Sequence, residues 1–181
     1  MHQAGIENVV ASSGTSLTID QIKLVKRFTN NITLLFDGDT AGLKAALRGV
    51  NLILEEGLNV KIVTFPDGED PDSYAKKVST EELESYINDG AKDFIEFKCS
   101  LLLEEAKEDP IKRSELIKDV AATIALIPDN VARTVYAQTS SKILGIEEQV
   151  VFASIEQSRS GKVKSNSKPM QVVFSSPKQG Q

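Results

Sequence analysis

Cysteine and histidine are almost absent from this chain of 181 residues, which has one of each, Cys99 and His2. A lone cysteine excludes an internal disulfide, and the two together cannot complete the tetrahedral set of a structural zinc site. The same shortage argues against a histidine-based nucleophilic triad. No apolar run approaches the roughly 20 residues that cross a bilayer as a helix, and the first residues do not read as a signal peptide. Proline is sparse at six residues, while hydrophobic residues make up 40%. The chain is therefore not disordered overall and can bury one good core, with or without a helical appendage. These absences lead to the expectation of a soluble cytoplasmic domain, and no internal repeat is visible.

Acidic residues are missing from one region. None follows Glu156, where Arg159, Lys162, Lys164, Lys168 and Lys178 stand without a counter-charge. The net charge of −5 thus conceals a body, residues 1–156, that carries −10 once those five cations are set aside. An acidic body repels nucleic acid at long range, so the chain alone should bind DNA poorly. The terminal stretch 159–181, rich in Ser, Gly, Lys, Gln and Pro, reads as a flexible basic linker. Val172 to Phe174 is a candidate short strand within it.

What is present is a strand that ends in carboxylates. In Ile32-Thr33-Leu34-Leu35-Phe36-Asp37-Gly38-Asp39-Thr40-Ala41-Gly42 an apolar β-type run stops at two acids and opens a helix. A buried strand would place Asp37 at the carboxyl edge of a sheet, where open α/β sheets bind ligands, and Asp39 would face the same crevice. The helix from Thr40 to about Glu56 carries Leu43, Leu47, Val50 and Leu54 at helical spacing and stops at Gly57. Leu58 to Phe65 reads as the returning strand. If that strand is parallel to the first, the right-handed crossover brings the second acidic cluster, Asp67-Gly68-Glu69-Asp70-Pro71-Asp72, to the same edge. Asp37, Asp39, Asp70 and Asp72 would then converge, and hard oxygen donors select Mg²⁺ or Mn²⁺. Each motif alone also has a plainer reading, because Asp before a helix is a common N-cap and Asp-Gly and Asp-Pro-Asp are ordinary turns.

At these residues the chain resembles the Toprim domain of bacterial replicative DNA primases of the DnaG type. The resemblance rests on DGDTAG after an apolar strand and FPDGEDPDSY one helix and strand later. The stretch from Gly5 to Thr18 is similar to the segment that precedes this strand in the family, and Gln21 to Thr29 to its helix. The likeness extends over about residues 3–155 and is strongest up to Tyr74. It implies an α/β fold: a Rossmann-like, mostly parallel Toprim sheet lacking its first strand, followed by an all-α helical subdomain. The implied division is a partial Toprim metal-binding domain at 1–78, a helical subdomain of the primase core at 79–158 and the basic tail.

The implied activity is DNA-directed synthesis of short RNA primers, with Mg²⁺ or Mn²⁺ held by Asp37, Asp39, Asp70 and Asp72, of which Asp37 and Asp39 are the catalytic pair. Implied partners are a single-stranded DNA template, nucleoside triphosphates and the replicative helicase, the last through a C-terminal domain expected to lie beyond this chain. The family's opening strand, with its glutamate in a Glu-Gly-Tyr-like motif, has no counterpart before Gly5. Met1 to Ala4 reads as the end of the following helix, so the chain is expected to be truncated at both ends and inactive alone.

Weaker candidates surround this core. Ser12 to Ser16, including Gly14 and Thr15, connects a strand expected at Asn8–Ser12 to the next helix and could approach a phosphate through its amides; it is also a plain connection. Lys44 is a second phosphate candidate, or a solvated lysine. Thr18 to Gln21 fits a capping box opening a helix with Ile22, Val25 and Phe28 on one face. From Ser79 onward only helices are expected, starting at Ser79, at Asp93, at Pro110 and after Asp129, the last ending at Gly145. Phe94, Phe97, Leu101 and Leu102 read as core and Cys99 as inert. Two alternatives remain. A haloacid-dehalogenase-like phosphatase also ends a strand in Asp-x-Asp, but Ala41 stands two residues after the second Asp, where it requires threonine or valine. A non-catalytic Toprim remnant acting as an interaction module is the other.

Overall fold

The structure, a computed structural model, describes residues 1–11, 17–37, 49–66, 68–106 and 109–166, with side chains up to residue 161. The apolar run forms β1 (Asn31–Phe36), and the returning run forms β2 (Asn59–Thr64) parallel to it, in register from Asn31 opposite Asn59 to Phe36 opposite Thr64. Between them α2 is described over residues 49–55. It ends at Gly57 (φ 76°), whose N–H donates to the Leu54 carbonyl (2.9 Å) while Leu58 N–H donates to Ile53 (3.3 Å). Only glycine takes this backbone without strain. The expected β-α-β step is therefore present where its residues are described.

One face of these strands is covered along its length and the other only toward the carboxyl end, where Asn31, Thr33, Asn59 and Lys61, all exposed, give way to apolar residues. Ile32, Leu34, Phe36, Val60 and Ile62 belong to the main core, with Val50, Ile53 and Leu54 of α2 and Ile22 of α1 (Ile19–Lys26). The alternate positions Leu35, Val63 and Phe65 point the other way. They meet Ala75 of α3 (Pro71–Ala75), Leu83 of α4 (Thr80–Gly90) and the N-terminal turn at Met1, Ala4 and Ile6. That turn is a short 3-10 segment, His2–Ala4, closed by Gly5 at φ 91°.

Three expectations are corrected. Asn8 to Ala11, expected as a strand, is irregular, and Val10 is 81% exposed. A strand exists only where its backbone finds a ladder partner, and β1 has none on its outer side among the described residues. Phe28 does not share the face of Ile22 and Val25: α1 closes at Lys26, Arg27 N–H turns back to Leu24 (3.2 Å), and Phe28 is left 82% exposed. The region after Ser79 is not purely helical. Lys92–Asp93 forms β3, antiparallel to β2, in the order β1-β2-β3. These two residues satisfy the outer edge of β2, so the helix expected from Asp93 begins one residue later.

The remaining chain is a helical bundle of α5 (Phe94–Ala106), α6 (Pro110–Ile124), α7 (Asn130–Leu144) and α8 (Glu148–Asn166). The expected signals operate: α6 begins at Pro110, Asp129 caps α7, and Gly145 ends α7 at φ 62°, while Asp109 supplies the cap of α6. Phe94 and Cys99 are buried, and Phe97 and Leu102 pack against the core. Lys98, 5% exposed, bridges α5 to α6 through Thr123 Oγ1 (2.6 Å) and Asp119 Oδ2 (2.9 Å). The helix α8 continues to Asn166, so the first part of the stretch expected as a flexible linker is helical; Val172 to Phe174 lies outside the described residues. No helix among the described residues is long and apolar enough to cross a membrane.

Candidate metal centre at the carboxyl edge of the sheet

Parallel pairing fixes the position of the acids. Because Phe36 lies opposite Thr64, Asp37 and the segment after Phe65 leave the sheet at the same edge. Asp37, Asp70 and Asp72 are all exposed there. Asp39, Gly14, Thr15 and Lys44 lie outside the described residues. Among the described residues no three acidic, histidine or cysteine side chains come together as a metal cluster.

The second acidic segment is built as a helix start. Asp70 is the N-cap of α3, and its Oδ1 accepts from Asp72 N–H (2.8 Å) and Ser73 N–H (2.7 Å). Ser73 Oγ returns the contact by accepting from Asp70 N–H (3.0 Å), and Pro71 fills the first helical position. This is a capping box with its proline in the favoured place. Asp72 projects from the first turn and pairs with Lys76 one turn on (2.6 Å). The ammonium of Lys76 lowers the Asp72 pKa, first by hydrogen bonding and then by its charge.

Sequence reasoning missed the residues that hold this segment. Glu69 accepts from Ser73 Oγ (2.7 Å) and pairs with Lys77, and these bonds lower its pKa. The Asp72 to Lys76 spacing was a readable i,i+4 signal; the Glu69 to Lys77 pair, eight residues apart, had no comparable pattern. Beneath the segment Phe65, Tyr74 and Tyr86 pack with ring centroids 4.8 to 5.4 Å apart, and Tyr86 Oη donates to the Thr64 carbonyl (2.9 Å). The end of β2 is thus clamped to α3 and α4.

In kind, these donors fit a hard divalent cation. They are exposed carboxylates on one sheet edge, suited to an ion that keeps part of its water. The same geometry sets a condition: Asp70 already spends Oδ1 on two N–H groups, and Asp72 already has a cationic neighbour.

Comparison with known proteins agrees with this architecture. Residues 1–75 match the Toprim-like family model. The DNA primase of Clostridium acetobutylicum is 37% identical over 153 residues, covering 84% of this chain. A crystal structure of a DNA primase domain from Pseudomonas aeruginosa superposes with a TM-score of 0.74 at 30% identity, over 86% of this chain and 50% of that one. The chain belongs to the bacterial DnaG-type primase family. It spans 25% of the length of the Clostridium primase.

A DnaG primase catalytic domain bound to single-stranded DNA is also similar, with a TM-score of 0.68 and 31% identity over 78% of this chain and 46% of that one. Residues 95–149 match a second model, described as the DnaB-helicase binding domain of primase. The sequence had placed helicase contact beyond this chain, whereas this match falls within the bundle. The superposition over 86% of the chain cannot be reached without much of the same bundle, so these helices also have a counterpart in the Pseudomonas primase domain.

Proposed function

We propose that this chain provides the Toprim metal-binding edge and the adjoining helical subdomain of an enzyme that makes short RNA primers on a DNA template. The observation that carries the reading is the Toprim-like match over residues 1–75, whose Asp-Gly-Asp motif begins at Asp37, immediately after β1. Asp37, Asp39, Asp70 and Asp72 would hold Mg²⁺ or Mn²⁺, with Asp37 and Asp39 closest to the chemistry. When bound, such ions neutralise the triphosphate and the leaving pyrophosphate and favour deprotonation of the attacking hydroxyl.

The protein's own part is to hold and to place. The parallel register sets Asp37 beside the end of β2, and the Asp70 cap fixes the direction from which Asp72 projects. The Glu69, Ser73 and Lys77 contacts tie that segment to α3 and the residues after it. Lys76 neutralises Asp72 in the metal-free protein, and would be free to face phosphate if a cation took its place. Gly14, Thr15 and Lys44 are proposed phosphate contacts. In the whole protein the partners would be single-stranded DNA, nucleoside triphosphates and the replicative helicase, the last supported by the match over 95–149, and the setting would be the cytoplasm.

A chimera tests this function. Replacing the matched 153 residues of the Clostridium primase with the corresponding residues of this chain should retain RNA primer synthesis on single-stranded DNA. The same chimera carrying Asp37→Asn and Asp39→Asn should fold and make no primer. An active double variant would overturn the assignment.

A further inference from the structure

An open groove lies in the helical half, between α6 and α8. A stripe on α6 spaced at i, i+3 and i+4, comprising Arg113, Ser114, Ile117 and Lys118, faces Val150 and Ser154 of α8 across an open cavity of about 340 Å³. The floor is apolar: Ile117 packs against the core, and Val150 is 48% exposed. Ile111, three and seven residues before Ser114 and Lys118 on α6, is 72% exposed. Exposed aliphatic residues along a two-helix groove mark the kind of surface that receives a third helix.

Charge narrows the choice of occupant. Both ionisable side chains of the lining are cationic, and no carboxylate among the described residues lines the groove, although the chain as a whole carries −5. Arg113 is held in place by donating to the Leu144 carbonyl (2.7 Å), so its guanidinium is pre-positioned, while Lys118 is exposed. A local cationic rim on an acidic protein favours an acidic partner and disfavours a basic one, acting on both association rate and choice of partner.

We propose that the α6–α8 groove docks an acidic amphipathic helix of a protein partner, with aliphatic side chains seated over Ile117 and Val150 and carboxylates meeting Arg113 and Lys118. The groove shares no residue with the sheet edge, but Arg113, Ser114, Ile117 and Lys118 lie within residues 95–149, so the proposal rests on the partner-binding reading of that match and not on the metal site.

The full chain can be titrated with two short helical peptides that have the same leucine face, one flanked by glutamates and the other by lysines. The glutamate peptide should bind, with amide NMR shifts concentrated at Arg113, Ile117, Lys118, Val150 and Ser154. Lys118→Glu should weaken it about tenfold or more without changing the thermal melt, since Lys118 is exposed, and should improve binding of the lysine peptide. Equal binding of both peptides, shifts located elsewhere, no binding, or an unchanged affinity in Lys118→Glu would each overturn the proposal.

Discussion

Asp70 is given two tasks, and two substitutions separate them. As N-cap it offers one oxygen, Oδ1, to Asp72 N–H at 2.8 Å and Ser73 N–H at 2.7 Å; as a proposed ligand it offers charge. Asparagine keeps an acceptor in the same place and caps about as well as aspartate, so Asp70→Asn should cost the metal-free protein only a few tenths of a kcal/mol. Asp70→Ala leaves both N–H groups without their partner and should cost about 1 kcal/mol. Metal reverses the grouping. At a tenfold excess over its dissociation constant, Mn²⁺ should stabilise the wild type by about 1.4 kcal/mol, and both variants should lose most of that gain. Urea unfolding with EDTA and then with Mn²⁺ supplies all six values. If Asp70→Asn keeps the wild-type gain, Asp70 is a cap and nothing more, and the second acidic cluster is a turn.

Two further predictions concern the scaffold. Lys98→Met should be neutral or stabilising within about 1 kcal/mol, because methionine fills the space and Asp119, 55% exposed, regains water; Asp119→Ala should cost about 2 kcal/mol by leaving a buried ammonium with only Thr123. Urea midpoints in the opposite order would refute this. Burial, and then the hydrogen bond from its Oη to Asp93 Oδ2 (2.8 Å), push the Tyr136 pKa well above the ordinary tyrosine value. A raised pKa on an acid that is neutral when protonated stabilises the fold below the unfolded-state value. That contribution is lost as pH rises from the ordinary tyrosine pKa toward the folded one. Tyr136→Phe should therefore flatten the alkaline fall in stability and leave its slope near neutrality unchanged, as read from urea midpoints across the alkaline range.

The parts of this structure that were legible in the sequence are those decided by neighbours along the chain. The β1 and β2 runs, the Gly57 stop, the Thr18 capping box, the helix starts at Ser79 and Pro110 and the Asp129 cap each depend on a few consecutive residues, and each occurs. β3 was not legible because two residues become a strand only by meeting β2, about thirty positions earlier. Phe28 was misplaced because a helix that ends one turn early breaks its own stripe. Lys98 could not be read as buried, since lysine is seldom inside without a partner and its partners lie on another helix. Asp70 shows a different limit: one residue type serves equally as a helix cap and a metal donor, so spacing alone could not choose between them.

The central claim is that the two acidic motifs form one cation-binding site. Calorimetric titration of Mn²⁺ into the full chain, into the Asp37→Asn, Asp39→Asn double variant and into the Asp70→Asn, Asp72→Asn double variant tests it most directly. The account predicts binding to the wild type and loss of it in both variants, with folding retained. Wild-type affinity in the Asp70, Asp72 variant would contradict a shared site and leave the first motif alone.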